Sequence, residues 1–333
     1  ISQGNGKIYA ASENAVFIYD PATSELSTLS TINGLAGELI STIYYSENFN
    51  LLIIGYENGL MDVVIDGEEE VLTVVDILEK PTIPADKKRI NHFMEYDGFV
   101  YISSKFGISL FDLEALEFGD SYFIGDLGSQ LNITQTTVLG PYIFASSLDG
   151  GGIRRAFVNR DNLIDYEQWS LVAEGSFKGV QNLSGIVYLL NSNNRVFEYI
   201  FGFLPRLKEN LGEEVVGFNV HNELLTITTV NGIRTYSENY TPQESINSVP
   251  NFDYILQSGF AYNNNFYLGT TLDGMLEVPY GSNQANQILP DGPALNQSFA
   301  IDASPGQLWT VFGEVDVNYN PFPLNNRPIS NLR

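Results

Sequence analysis

A hairpin that returns about every 42 residues is the feature that most constrains what this chain can fold into. The copies are "GKIYAASENAVFIYD" (Gly6 to Asp20), "LLIIGYENGLMDVVI" (Leu51 to Ile65), "GFVYISSKFGISLFDL" (Gly98 to Leu113) and "PYIFASSLDGGGIRRAF" (Pro141 to Phe157). They continue with "IVYLLNSNNRVFEYI" (Ile186 to Ile200), "ELLTITTVNGIRTYS" (Glu223 to Ser237), "NFYLGTTLDGMLEVP" (Asn265 to Pro279) and "QLWTVFGEVDVNYN" (Gln307 to Asn320). Each is an apolar run rich in β-branched and aromatic residues, then a turn, then a second such run, which is the signature of paired antiparallel strands.

Between hairpins lies a further apolar segment, such as "ISTIYYS" from Ile40, "INHFMEY" from Ile90 or "SFAIDAS" from Ser298, and after most of them a more polar strand, such as "LSTLS" from Leu26. Four strands per unit at this period predict an all-β fold, a β-propeller of four-stranded antiparallel blades. No segment keeps a helical period between caps, so essentially no helix is expected. The strand before each hairpin should be innermost and the polar strand outermost.

Eight hairpins with seven preceding inner segments leave two ways to close the ring. If the strand near Phe299 completes the N-terminal blade, there are seven blades. If "ISQ" at residues 1–3 is an inner strand of its own, there are eight. Seven is the expected count, with one propeller over 1–320 and a linker over 321–333 leading toward a further domain.

Gly59, Gly107, Gly151, Gly232 and Gly274 fall at corresponding turn positions, where positive φ is expected. Ala15 and Arg195 break the series, and Asn14 and Asn194 before them are expected to take the left-handed conformation instead.

Charge narrows the partners. Lys plus Arg total 16 against 40 Asp plus Glu, a net charge of -24 that repels phosphate backbones and anionic membrane surfaces at long range. Nucleic acid is therefore not expected, nor is direct membrane insertion, since no apolar run reaches the roughly 18 residues a spanning helix needs. Cysteine is absent, which removes disulfides, thiolate catalysis and Cys-ligated metals. The N-terminus lacks the basic-then-apolar layout of a signal peptide and opens inside a strand pattern, as a processed chain would.

Candidate chemistry is sparse. His92 and His221, the only histidines, lie in inner-strand segments and read as core or channel-lining groups. No nucleophile-elbow pattern occurs, and the "LDGGG" and "LDGM" runs lack the alternating ligands of a calcium loop. No catalytic residue, metal or cofactor is assigned. The scarce cations are the better candidates, because an acidic protein needs local basic groups to hold an anionic ligand. Lys87, Lys88 and Arg89 lie in the connection "EKPTIPADKKR", and Arg154 and Arg155 follow the triple glycine of the fourth hairpin. Outer-to-inner connections and hairpin turns emerge on one propeller face, so both clusters are candidate ligand-binding groups, with solvated loop charge as the competing reading. Tyr56, Phe106 and Trp309, near turns and strand ends, are candidates for exposed aromatics.

The stretch "GKIYAASENAVFIYDPATSELSTLSTINGLAGELISTIYYSENFNLLIIGYENG" (Gly6 to Gly59) is similar to the N-terminal propeller of PorZ, a surface component of the type IX secretion system in Bacteroidetes. "LWTVFGEVDVNYNPFP" (Leu308 to Pro323) resembles the junction after that propeller. The resemblance implies an exported protein of the Gram-negative cell surface or periplasm. It also implies protein partners in a secretion and cargo-attachment complex, an anionic lipopolysaccharide as a further partner, and a second propeller and secretion-signal domain downstream. No family catalytic residue maps onto the chain. The repeats also resemble the ligand-sensing propellers of hybrid two-component receptors, which is the alternative function. A propeller-borne glycan hydrolase or lyase is the third class considered.

Overall fold

The computed structural model describes residues 1–159, 162–290, 298–305, 307–312, 314–315, 321–322 and 329–332. The chain divides into two compact units, Ile1–Ile288 and Leu289–Arg333. The first is a seven-bladed β-propeller of four-stranded antiparallel sheets, each built from four strands consecutive in sequence. The blades span residues 2–29, 40–74, 90–122, 133–173, 177–210, 215–246 and 256–288.

Packing explains the composition of the strands. The second strand of blade 2, Leu51–Tyr56, is buried along its whole length. Its side chains alternate: Leu51 and Ile53 join a core with Ile90, Phe93 and Val100 of blade 3, while Leu52, Ile54 and Tyr56 join Tyr9 and Val16 of blade 1. A strand covered on both faces must be apolar without interruption. Further cores of this kind lie between blades 3 and 4, 4 and 5, 5 and 6, and 6 and 7. Ile8 and Tyr19 of blade 1 pack with Phe260, Tyr267 and Met275 of blade 7 and so close the ring. Outer strands such as Glu25–Leu29 have one covered face and read polar.

Seven blades are present, but closure follows a different route from the expected one. Ser2–Gly4 pairs with Lys7–Ala11 and is blade 1's own inner strand. The strand Ser298–Ser304 instead pairs with Gln307–Phe312 in a separate three-stranded sheet of the second unit. The count stays at seven because Gln307–Phe312, the first run of the eighth hairpin, belongs to that separate sheet. The ring is thus complete by Ile288, with 289–320 in the second unit; the linker role of 321–333 remains a proposal, since most of those residues lie outside the described ones.

The turn chemistry is also redistributed. Gly59 and Gly274 take positive φ, at 89° and 69°, and Asn194 does so at 57°. Gly151, Gly232 and Asn14 are not in that region. Gly232 is needed for space instead, because a Cβ there would sit 2.4 Å from the Ile246 carbonyl oxygen. Paired left-handed residues recur in the first-to-second-strand turns, as at Asn5-Gly6, Asp97-Gly98, Ser184-Gly185 and Asn263-Asn264, the type I′ geometry that suits twisted hairpins. Among the described residues, helix is confined to one turn, Asp76–Glu79, and short 3-10 segments. No helix among the described residues is long and apolar enough to cross a membrane.

Candidate functional site

Antiparallel order within a blade sends the second-to-third turn and the outer-to-inner connection to one end of the ring, called here the upper end. The predicted basic clusters start there. Ala85–Lys87 forms a 3-10 turn between blades 2 and 3, with Lys87 half-buried and making no ion pair among the described residues. Lys88 is buried, and its Nζ donates to the Leu78 carbonyl, so its charge braces the connection. Arg89 is partly exposed and pairs with Glu57 at 2.7 Å, tying the connection to blade 2's upper turn.

Arg154 and Arg155 are neighbours on the strand Ile153–Phe157, so they point to opposite faces of blade 4. Arg154 holds Asp126 at 2.6 Å and donates to the Gly151 carbonyl, both at the upper end. Arg155 reaches down toward blade 5, donating to the Tyr199 hydroxyl at 3.1 Å, with Tyr142 5.0 Å and Phe201 4.3 Å from its guanidinium. At the upper end Lys87 and Arg89 are partly exposed, whereas Lys88 and Arg154 are buried and Arg155 turns toward blade 5.

The inner strands enclose a central channel of about 1010 Å³, lined mainly by Ser, Thr, Asn, Gln and aromatic side chains. Gln135 bridges three blades across it: its Oε1 accepts from the Val180 amide and from Gln181 Nε2, both at 3.1 Å, and its Nε2 donates to the Phe218 carbonyl at 2.9 Å. Sequence reading missed this residue, and only its polarity inside an inner strand could have drawn attention to it. His92 and His221 both line the channel, but His92 lies near the start of its strand and His221 at the end of another. They therefore sit toward opposite ends. Among the described residues, Nδ1 of His92 and Nε2 of His221 are buried without hydrogen-bond partners, and burial lowers both pKa values, that of His92 to about 4. Among the described residues no group of three or more His, Asp or Glu is placed to hold a metal.

Of the aromatics expected at the surface, Tyr56 and Phe106 are fully buried, whereas Trp309 is exposed. Tyr56 donates to the buried Asp62 at 2.5 Å, and Asp62 also accepts from Thr73 at 2.7 Å and the Ala36 amide at 2.9 Å. Neighbouring blades cover both rings, which proximity to a turn does not reveal. Asp149 of "LDGGG" accepts from Ser147 and from the Asn132 amide, so its carboxylate fastens the turn.

Residues 8–170 match the model of the type IX secretion system PorZ N-terminal beta-propeller domain. No curated protein matches the chain in sequence. Among solved structures, PorZ of Porphyromonas gingivalis, described as an essential bacterial surface component of the type IX secretion system, superimposes with a TM-score of 0.73 at 18% identity. That alignment covers 99% of this chain and 44% of PorZ, so the chain spans less than half of that protein's length. A chain of the mitotic checkpoint complex aligns with a TM-score of 0.64 at 12% identity, over 84% of this chain and 90% of that one. Raptor of Chaetomium thermophilum gives 0.61 at 13%, over 84% and 27%. These two likenesses show the propeller fold alone, while the match over residues 8–170 makes the chain PorZ-like.

Proposed function

We propose that this PorZ-like propeller is a non-catalytic binding scaffold of the bacterial cell surface, acting in type IX secretion and in attachment of secreted cargo. The observation that carries the reading is the match of residues 8–170 to the PorZ N-terminal propeller. Two features support it. The exposed surface is a rim of turns on seven packed blades, which suits docking, and the channel's two histidines lie toward opposite ends. Protein partners are the primary ligands in this reading, and an anionic lipopolysaccharide is the second. Its phosphates and carboxylates would meet Lys87 and Arg89 at the upper end, with Arg155 on the flank.

The gene, deleted in the bacterium of origin and restored as the full-length protein, tests the reading. Whole-cell proteolysis should show secreted cargo lost from the surface in the deletion and regained on complementation. Normal cargo display in the deletion strain would overturn it.

A further inference from the structure

Four asparagine–glycine pairs occur in the chain: Asn5-Gly6, Asn33-Gly34, Asn58-Gly59 and Asn231-Gly232. An asparagine in such a pair can lose its side-chain amide, because the next backbone nitrogen lies within reach of Cγ and glycine has no Cβ to block the approach. The reaction needs an N–H that can give up its proton, room for a five-membered ring, and access for water.

The structure separates the four pairs on these grounds. The Gly34 N–H donates to the Thr31 carbonyl and the Gly59 N–H to the Tyr56 carbonyl, both at 3.2 Å. The Gly232 N–H donates to Thr229 Oγ1 at 3.1 Å. An acceptor aimed at the nitrogen opposes the anion that must form there. Two of the asparagines are held by their carbonyl as well, since Asn33 Oδ1 accepts from the Ser30 amide at 3.1 Å and Asn58 Oδ1 from the Leu60 amide at 3.0 Å. Gly6 differs. Its N–H has no acceptor among the described residues, Asn5 and Gly6 are both exposed, and no atom lies within 4 Å of the place a Gly6 Cβ would take.

What Asn5 touches sets the consequence. It sits in the first turn of blade 1, at the end of the ring opposite the upper one, and is bonded to two carboxylates of blade 2. Its backbone N–H donates to Glu47 Oε1 and its Nδ2 to Asp66 Oδ2, both at 3.0 Å. Gln3 Nε2 also donates to Glu47 at 3.1 Å, and the Tyr45 hydroxyl to Asp66 at 2.8 Å. A carboxylate at position 5 would replace the donor to Asp66 with a like charge, in a chain already at -24. Like charges in contact repel.

We infer that Asn5 is a deamidation site, and that its conversion loosens the seam between blades 1 and 2. The step balances with water alone. Hydroxide takes the Gly6 N–H proton, the nitrogen bonds to Cγ of Asn5, and the Cγ–Nδ2 bond breaks with release of ammonia. Water then opens the imide at either carbonyl, leaving aspartate or isoaspartate at position 5. The isoaspartate adds a backbone carbon inside the turn that sets the register of Ser2–Gly4 on Lys7–Ala11.

The test incubates the full chain in alkaline buffer and follows each pair by peptide mapping with enzymatic detection of isoaspartate. Asn5 should convert about tenfold faster than Asn33, Asn58 or Asn231, as expected where one hydrogen bond to the attacking nitrogen is missing. Asn5→Asp supplies the product's charge on an unaltered backbone and should lower the melting temperature, less so in high salt. That loss should shrink by more than half when the same substitution is made in an Asp66→Asn background. Conversion at Asn5 no faster than at the other three pairs overturns the inference. So does an Asn5→Asp melt equal to that of the wild type, or a loss that Asp66→Asn leaves unchanged.

Discussion

The Tyr19 hydroxyl of blade 1 donates to Glu277 of blade 7 at 3.2 Å, across 258 positions of sequence. Glu277 also accepts from Tyr267 at 3.0 Å, and Tyr267 is fully buried. Removing this carboxylate leaves a buried hydroxyl unpaired at the seam of the ring. Glu277→Ala should therefore destabilise the propeller by about 2–3 kcal/mol, and Glu277→Gln, which keeps an acceptor, by about 1 kcal/mol. Denaturant unfolding checks both, and equal losses would show that the acceptor is not what matters.

Acid sensitivity should trace in part to His92. Burial holds its folded pKa near 4, below the unfolded value of about 6.5, so between those pH values the unfolded chain binds the extra proton. Stability from this residue is then full above about pH 6.5 and falls as pH drops toward 4, where the loss levels off. Allowing for channel water at the partly exposed ring, the loss is about 2 kcal/mol. Urea midpoints of the wild type and His92→Gln across pH 4 to 6.5 should diverge by this amount in slope. Parallel curves would exclude the histidine.

Two glycines should respond in opposite ways. Gly185 has φ 87° with open space where a Cβ would go, and asparagine tolerates that backbone, so Gly185→Asn should cost under about 1 kcal/mol. At Gly232, alanine would collide with the Ile246 carbonyl oxygen, 2.4 Å from the ideal Cβ, and the loss should be about 2 kcal/mol or more. Thermal melts of the pair measure the contrast.

The upper-end cations separate into support and surface. Lys88→Met should lose about 1 kcal/mol through the bond to the Leu78 carbonyl, while Lys87→Ala should stay within about 0.5 kcal/mol. Charge reversal at Lys87 should weaken retention on immobilised anionic lipopolysaccharide without lowering the melting temperature, and reversal at Arg89 should weaken it with a small loss of stability, because it also breaks the pair with Glu57. Unchanged retention would remove these two residues from the proposed ligand surface.

The blades were legible because burial on two faces writes apolar runs into most second strands, such as Leu51–Tyr56, and several third strands, while the outer strand stays polar because it has only one neighbour. Closure was not, since Ser2–Gly4 is too short to carry a period. The type I′ turns were present as Asn5-Gly6, Asp97-Gly98 and Ser184-Gly185, one strand earlier than the glycines that attract attention. The divergence of Arg154 from Arg155 follows from strand alternation and could have been read directly. By contrast, Phe203 and Leu204 look like core in sequence, and only the absence of a covering blade over them reveals an exposed patch. Tyr56 is the reverse case, buried by a blade that the linear pattern does not show.

Each of the first and last blades keeps all four of its own strands, and no strand is interleaved between them. Tension across that junction would peel aromatic rings and a carboxylate apart while every hydrogen-bonded ladder stayed whole. By the same reasoning, a chain rewired to join residue 288 to residue 1 and opened between blades 1 and 2 would sever no sheet.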